Sequence, residues 1–125
     1  MKNAVIVVGT HYAGKSKMIN NHLKRKFKIG KRKHKFSRNG KEGFILSQSF
    51  EEAGRDVDFV VSKYSHYDLL VLSARPSNET PSCLVEAESK LKNAGYQVIL
   101  VYVSKTTDNK HYDDKADEII KYLDK

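Results

Sequence analysis

Gly9-Thr10-His11-Tyr12-Ala13-Gly14-Lys15-Ser16 carries the residue types of an anion cradle in the order G-x-x-x-x-G-K-[ST]. Glycines at 9 and 14 let successive backbone N–H groups turn inward around a negative charge. A helix starting at Lys15 would aim its open N–H groups and its positive dipole end at the same point. Lys15 has the reach to meet terminal phosphates, and the Ser16 hydroxyl is a hard oxygen suited to Mg²⁺. Lys17 adds a further cation at the mouth.

The neighbours decide whether such a string is more than coincidence in a Lys-rich chain. Ala4-Val5-Ile6-Val7-Val8 is an unbroken β-branched run, as expected of a strand buried on both faces of a parallel sheet. Lys15 to about Lys28 has helical spacing, with Met18, Ile19, Leu23 and Phe27 on one face, and Ile29-Gly30 reads as its stop. The motif therefore falls between a strand and a helix, the context the chemistry needs.

With its Walker A string between strand and helix, the chain resembles the P-loop NTPase superfamily. The resemblance covers residues 4 to about 28 and is nearest in character to small nucleotide and small-molecule kinases. It implies bound ATP or GTP with Mg²⁺, a phosphate site made of Gly9, Thr10, His11, Tyr12, Ala13, Gly14, Lys15, Ser16 and Lys17, and Ser16 as the metal ligand. It leaves open how the nucleotide is used, because one loop serves many chemistries.

Further along, Asn39-Gly40 between extended runs His34–Arg38 and Lys41–Ser47 predicts a hairpin, with Phe36 facing Phe44 or Leu46. Ser49 reads as the cap of a helix reaching about Tyr64 and weakened at Gly54. Asp68–Ser73 and Tyr96–Val103 read as buried strands. Between them Thr80 and Pro81 open a helix with Leu84, Ala87 and Leu91 inward, ended by Gly95. A last helix from about Tyr112 turns Ala116, Ile119, Ile120 and Leu123 inward. The alternation predicts one α/β domain over residues 1–125: a three-layer, mostly parallel sheet with helices on both faces, P-loop-like, with one antiparallel hairpin.

Ligands in such sheets lie beyond the carboxyl ends of the strands. That rule singles out Ser47-Gln48-Ser49, Ser73-Ala74-Arg75 and Ser104-Lys105-Thr106. Arg75 is the candidate second catalytic residue, a guanidinium placed to meet phosphate or an anionic acceptor, with Arg38 or Lys33 as possible helpers. One expected part is missing. No apolar strand ends in the Asp that would hold Mg²⁺ through its waters. Asp68 stands at the wrong end of its strand, and Glu51 or Glu52 would have to substitute. Ser104–Asp108 is a weak echo of a guanine-binding motif. Lys110, Tyr112 and Ala116–Ile120 are a loose echo of a late kinase segment.

Charge is divided unevenly. Residues 1–41 hold thirteen Lys and Arg and no acid, whereas residues 42–125 hold ten basic and fifteen acidic residues, for a net charge of +8. Ten of the cations fall in Lys24–Lys41, together with Phe27 and Phe36. That block reads as a solvated face, a nucleic-acid surface, a surface for an acidic partner, or a grip on substrate phosphates. Two functions stay open: phosphoryl transfer to a small acceptor, or a nucleotide-binding module with a basic partner face and little turnover. The single Cys83, the lack of a membrane-spanning run and a first strand that starts at residue 4 make a cytoplasmic protein the simplest reading.

Overall fold

The computed structural model describes residues 2–9, 14–54, 56–78, 82–104 and 109–125, with the Glu52 side chain left out. Five strands, β1 (Lys2–Val8), β2 (Lys35–Arg38), β3 (Lys41–Ile45), β4 (Leu69–Ala74) and β5 (Tyr96–Tyr102), form one sheet in the order β2-β3-β4-β1-β5. β1 pairs in parallel with both β4 and β5, β3 pairs in parallel with β4, and only β2 runs antiparallel, against β3. This is the α/β class expected from the alternation of elements, with its one antiparallel pair where Asn39-Gly40 places it. Both turn residues have positive φ, 53° and 77°, the twist a two-residue hairpin needs.

A helical run, α1 (Lys15–Met18), a π-helical turn at Ile19–Leu23 and α2 (Lys24–Lys26), packs on one face together with α6 (Asn109–Leu123). The opposite face carries α3 (Phe50–Ala53), α4 (Val57–Tyr64) and α5 (Leu84–Asn93). β1 serves both cores by alternation, Ala4, Ile6 and Val8 to one and Val5 and Val7 to the other, all fully buried. The apolar run without a polar face follows from that central position.

Several boundaries differ from the sequence expectation. The first helix ends at Lys26, short of Ile29-Gly30. Lys28 takes the left-handed conformation (φ 61°), and the Ile29 and Lys28 amides donate to the Lys24 and Arg25 carbonyls, the bonding of a Schellman end. The single helix expected from Ser49 to Tyr64 is two, broken at Gly54 (φ 62°), with the Asp56 carboxylate accepting from the Asp58 amide at 2.8 Å to cap the second. α5 starts at Leu84; Thr80 and Pro81 lie outside the described residues.

Phe36 does not face Phe44 or Leu46. In the β2–β3 register Phe36 stands opposite Gly43 and Phe44 opposite Lys35, so the two rings leave opposite faces. The Phe36 ring fills the place of the missing Gly43 side chain: a Cβ there would come within 2.2 Å of it. It stacks on Phe27 at 4.2 Å, fastening the hairpin to the end of α2.

Tyr96 begins β5 almost fully buried, its hydroxyl donating to the Tyr67 carbonyl at 2.6 Å. Burial first, then the Asp68 carboxylate, pushes its phenol from 10.0 up to about 12. Between those values the unfolded chain loses a proton that the folded protein keeps, so stability falls as pH rises. That contribution, on the order of 2–3 kcal/mol, is intact below pH 10 and gone above about 12. Urea unfolding at pH 9, 10 and 11 should show a steeper loss in the parent than in Tyr96→Phe; equal slopes would contradict the assignment.

Candidate functional site

The chain leaves β1 toward the α1 face and leaves β4 toward the α5 face. These strands are neighbours, so their carboxyl ends border the crevice where connections diverge, the place ligands occupy in open α/β sheets. Gly9 and Arg75 are the first residues beyond those ends, and the Gly9 amide donates to the Ala74 carbonyl at 3.2 Å. Thr10, His11, Tyr12 and Ala13 lie outside the described residues; the cradle's two ends are within them.

Gly14 caps the helical run in the left-handed region (φ 88°, ψ 22°), and its carbonyl accepts from the Met18 amide at 2.9 Å. Only glycine enters this conformation without strain. A second constraint comes from far along the chain. Tyr112, in the first turns of α6, is buried and brings its hydroxyl to 2.3 Å from where a Cβ on residue 14 would sit. Lys17 lies over the same ring, its Nζ 5.6 Å from the centroid.

Lys15 is 5% exposed, and its Nζ donates to the Gly9 carbonyl, so the side chain reaches back to the end of β1. Burying an ammonium is costly unless it is bonded, and the first-turn positions of the helix supply no acid. Ser16 points across the sheet edge, its Oγ donating to the Ser47 carbonyl at 3.1 Å. The buried Ser73 hydroxyl reaches the same carbonyl at 3.3 Å. Three elements thus converge on one polar spot: the helix start, the end of β3 and the end of β4.

Of the other candidates at this edge, Ser104 is described and Lys105 and Thr106 are not. The Val103 amide bonds the Val8 carbonyl at 2.8 Å, which seats Ser104 next to Gly9. Arg75 sits on the expected edge with its backbone committed. Its amide meets both Glu51 carboxylate oxygens at 3.1 and 3.2 Å, and its carbonyl accepts from the Ser82 hydroxyl at 2.9 Å. Glu51 also takes the Cys83 amide at 2.6 Å, at the start of α5. This carboxylate, weighed above as a substitute metal ligand, instead ties a loop to a helix start. Burial, with Glu51 beside it, pushes the Cys83 thiol up, away from the reactive thiolate.

Two cations expected near the acceptor or on the basic face are elsewhere. Arg38 lies at the opposite edge of the sheet, where Asp124 holds it with two bonds, the second at 2.8 Å; that pair raises the guanidinium's pKa and lowers the carboxyl's. Lys24 is fully buried, donating to the Lys31 carbonyl at 2.7 Å, and burial lowers its pKa. Lys26 pairs with Asp117 at 3.0 Å. The basic block is therefore not one continuous charged face.

Geometry and topology define, among the described residues, an α/β protein with a five-stranded, mostly parallel sheet, with Gly9 at the end of β1 beside the divergence of β1 and β4. No protein-family model, no curated protein and no solved structure matches the chain. No described helix is long and apolar enough to cross a membrane.

Proposed function

We propose that the protein binds a nucleoside triphosphate, ATP in the first instance, with Mg²⁺, through the loop Gly9–Ser16. The observation that carries this reading is the meeting of Gly14, Lys15 and Ser16 beside Ser47 and Ser73, at the carboxyl edge next to the divergence of β1 and β4. Lys15 would leave the Gly9 carbonyl to neutralise the terminal phosphates, Ser16 would supply an oxygen to Mg²⁺, and backbone amides at the start of the helical run would hold phosphate oxygens. The nucleotide brings the phosphoryl chemistry. The chain's part is to position it and neutralise its charge, with Arg75 on the acceptor side of a transfer to a small molecule.

A second reading has one observation in its favour. Ser47, Arg75 and Ser104 occupy strand ends where an acid would hold the metal's waters, and the nearby Glu51 is spent on amides. A nucleotide-holding module with little turnover, acting through a partner on its basic face, accounts for that pattern. The test common to both is the unfolding temperature in rising ATP or GTP, each with and without Mg²⁺. Ligand at about 100 times its Kd stabilises the fold by about 2.7 kcal/mol, several degrees for a chain of this size. No shift at millimolar nucleotide would contradict the reading. ADP formation that requires an added small acceptor would select the kinase, and its absence alongside binding would select the module.

A further inference from the structure

We infer that the loop Lys28–Lys35 is a preformed site for single-stranded nucleic acid, with Lys24 as the residue that positions it. It deepens the module reading's basic face without needing the nucleotide site. Two adjoining open grooves, of about 710 and 500 Å³, share Lys28, Ile29 and Gly30. Arg32, Lys33 and Lys35 rim the first, and Arg25 and Lys31 the second. No Asp or Glu lines either groove, and these cations are exposed. Among the described residues no ion pair engages Lys28, Lys31, Arg32, Lys33 or Lys35, in contrast to Lys26 and Arg38, which acids neutralise. Six cations without an acid among them favour a polyanion.

The apolar surface narrows the class of polyanion. The first groove includes Ile29 and the half-buried Phe44. His34 stacks on Phe44 at 5.7 Å and 27°, and Phe44 on Tyr64 at 4.5 Å. Cations along a rim with rings between them match unpaired bases, which offer a π-face beside each phosphate; a duplex keeps its bases stacked inside.

The loop is held in shape at several points. Lys24 spends its buried ammonium on the Lys31 carbonyl, the Lys33 amide bonds the Gly30 carbonyl at 3.0 Å, and the Ile45 amide bonds the His34 carbonyl at 2.9 Å. Phe27 stacked on Phe36 closes its base. A buried lysine that binds only its own backbone is a costly anchor for a loop with no task.

The test is fluorescence anisotropy with labelled 15-nucleotide single-stranded RNA and DNA, and a duplex of the same length, from 50 to 300 mM salt. The expectation is a Kd of about 1–100 µM at 0.15 M salt for the single strands, with weaker duplex binding. Arg32→Ala with Lys33→Ala removes two exposed cations and should lower the log–log salt slope by about 1.4, about 0.7 for each lost phosphate contact. Lys24→Met keeps every groove cation, so affinity should fall about tenfold with the slope unchanged. Lys15→Ala should leave oligonucleotide binding intact, which separates this proposal from the nucleotide reading. No binding at 50 mM salt, a duplex bound as tightly as single strands, or no change in the Arg32/Lys33 variant would overturn it. Circular dichroism confirms that each variant is folded, and the surface pair decides the matter if Lys24→Met is not.

Discussion

Gly14→Ala is expected to destabilise the fold by about 2–5 kcal/mol, and Tyr112→Phe should recover part of that loss. Left-handed backbone at a non-glycine residue costs about 1–2 kcal/mol, and forcing atoms into a filled core adds about 1–3 kcal/mol. Residue 14 meets both conditions: φ is 88°, and a Cβ would lie 2.3 Å from the Tyr112 hydroxyl oxygen and 3.0 Å from the ring carbon bearing it. Phenylalanine at 112 removes the nearer atom and leaves the farther one, so rescue is partial. The backbone part of the cost persists in the double variant. Urea unfolding of the four proteins forms a double-mutant cycle, in which a favourable coupling of about 1 kcal/mol or more is predicted. Additive effects would mean that Tyr112 does not press on the loop. A Gly14→Ala protein as stable as the parent would reject the strained conformation itself.

Glu51→Ala should cost about 2–4 kcal/mol by leaving two part-buried amides, those of Arg75 and Cys83, without their charged acceptor. One carboxylate here joins α3, the residue after β4 and the start of α5. The negative charge also suits the positive end of α5. Glu51→Gln retains an acceptor oxygen and should lose about half as much. Were Glu51 instead a metal-handling group, removing it would change the magnesium dependence of nucleotide binding while leaving stability nearly untouched. Measuring both on the same variant separates the roles.

What the sequence made legible was governed by local and periodic rules. The apolar runs of β1, β4 and β5 required burial on both faces, and Asn39-Gly40 required a turn with two positive φ angles; each rule needs only neighbours a few residues away. The strand before Gly9 and the helical run after Gly14 were legible because their patterns are contiguous. The features that escaped depend on distant contacts. Tyr112 under Gly14 spans 98 positions of chain and had no signal beyond a loose motif echo. Glu51 read as a substitute metal ligand, because nothing local foretold amides at 75 and 83. Lys24 counted as one surface cation among ten, whereas the helical run turns it inward and gives it a carbonyl seven residues on. Phe36 was expected to face Phe44 or Leu46, but the hairpin register sets Gly43 opposite it and its ring stacks on Phe27. Gly54 marked a weakness in a helix and proved to be its end, since Asp56 offers a new cap two residues later.

In the proposed function, Lys15 and its loop hold the phosphates of a magnesium nucleotide. The most direct measurement is calorimetric titration of ATP with Mg²⁺ into the parent protein and into Lys15→Ala. Lys15 is buried against the Gly9 carbonyl and close to the Gly14 turn, so its loss should remove nucleotide binding while the folded far-ultraviolet spectrum persists. Saturable, magnesium-dependent heat in the parent and none in the variant is the predicted result. Equal binding by both proteins, or no heat from the parent at millimolar nucleotide, would contradict the account.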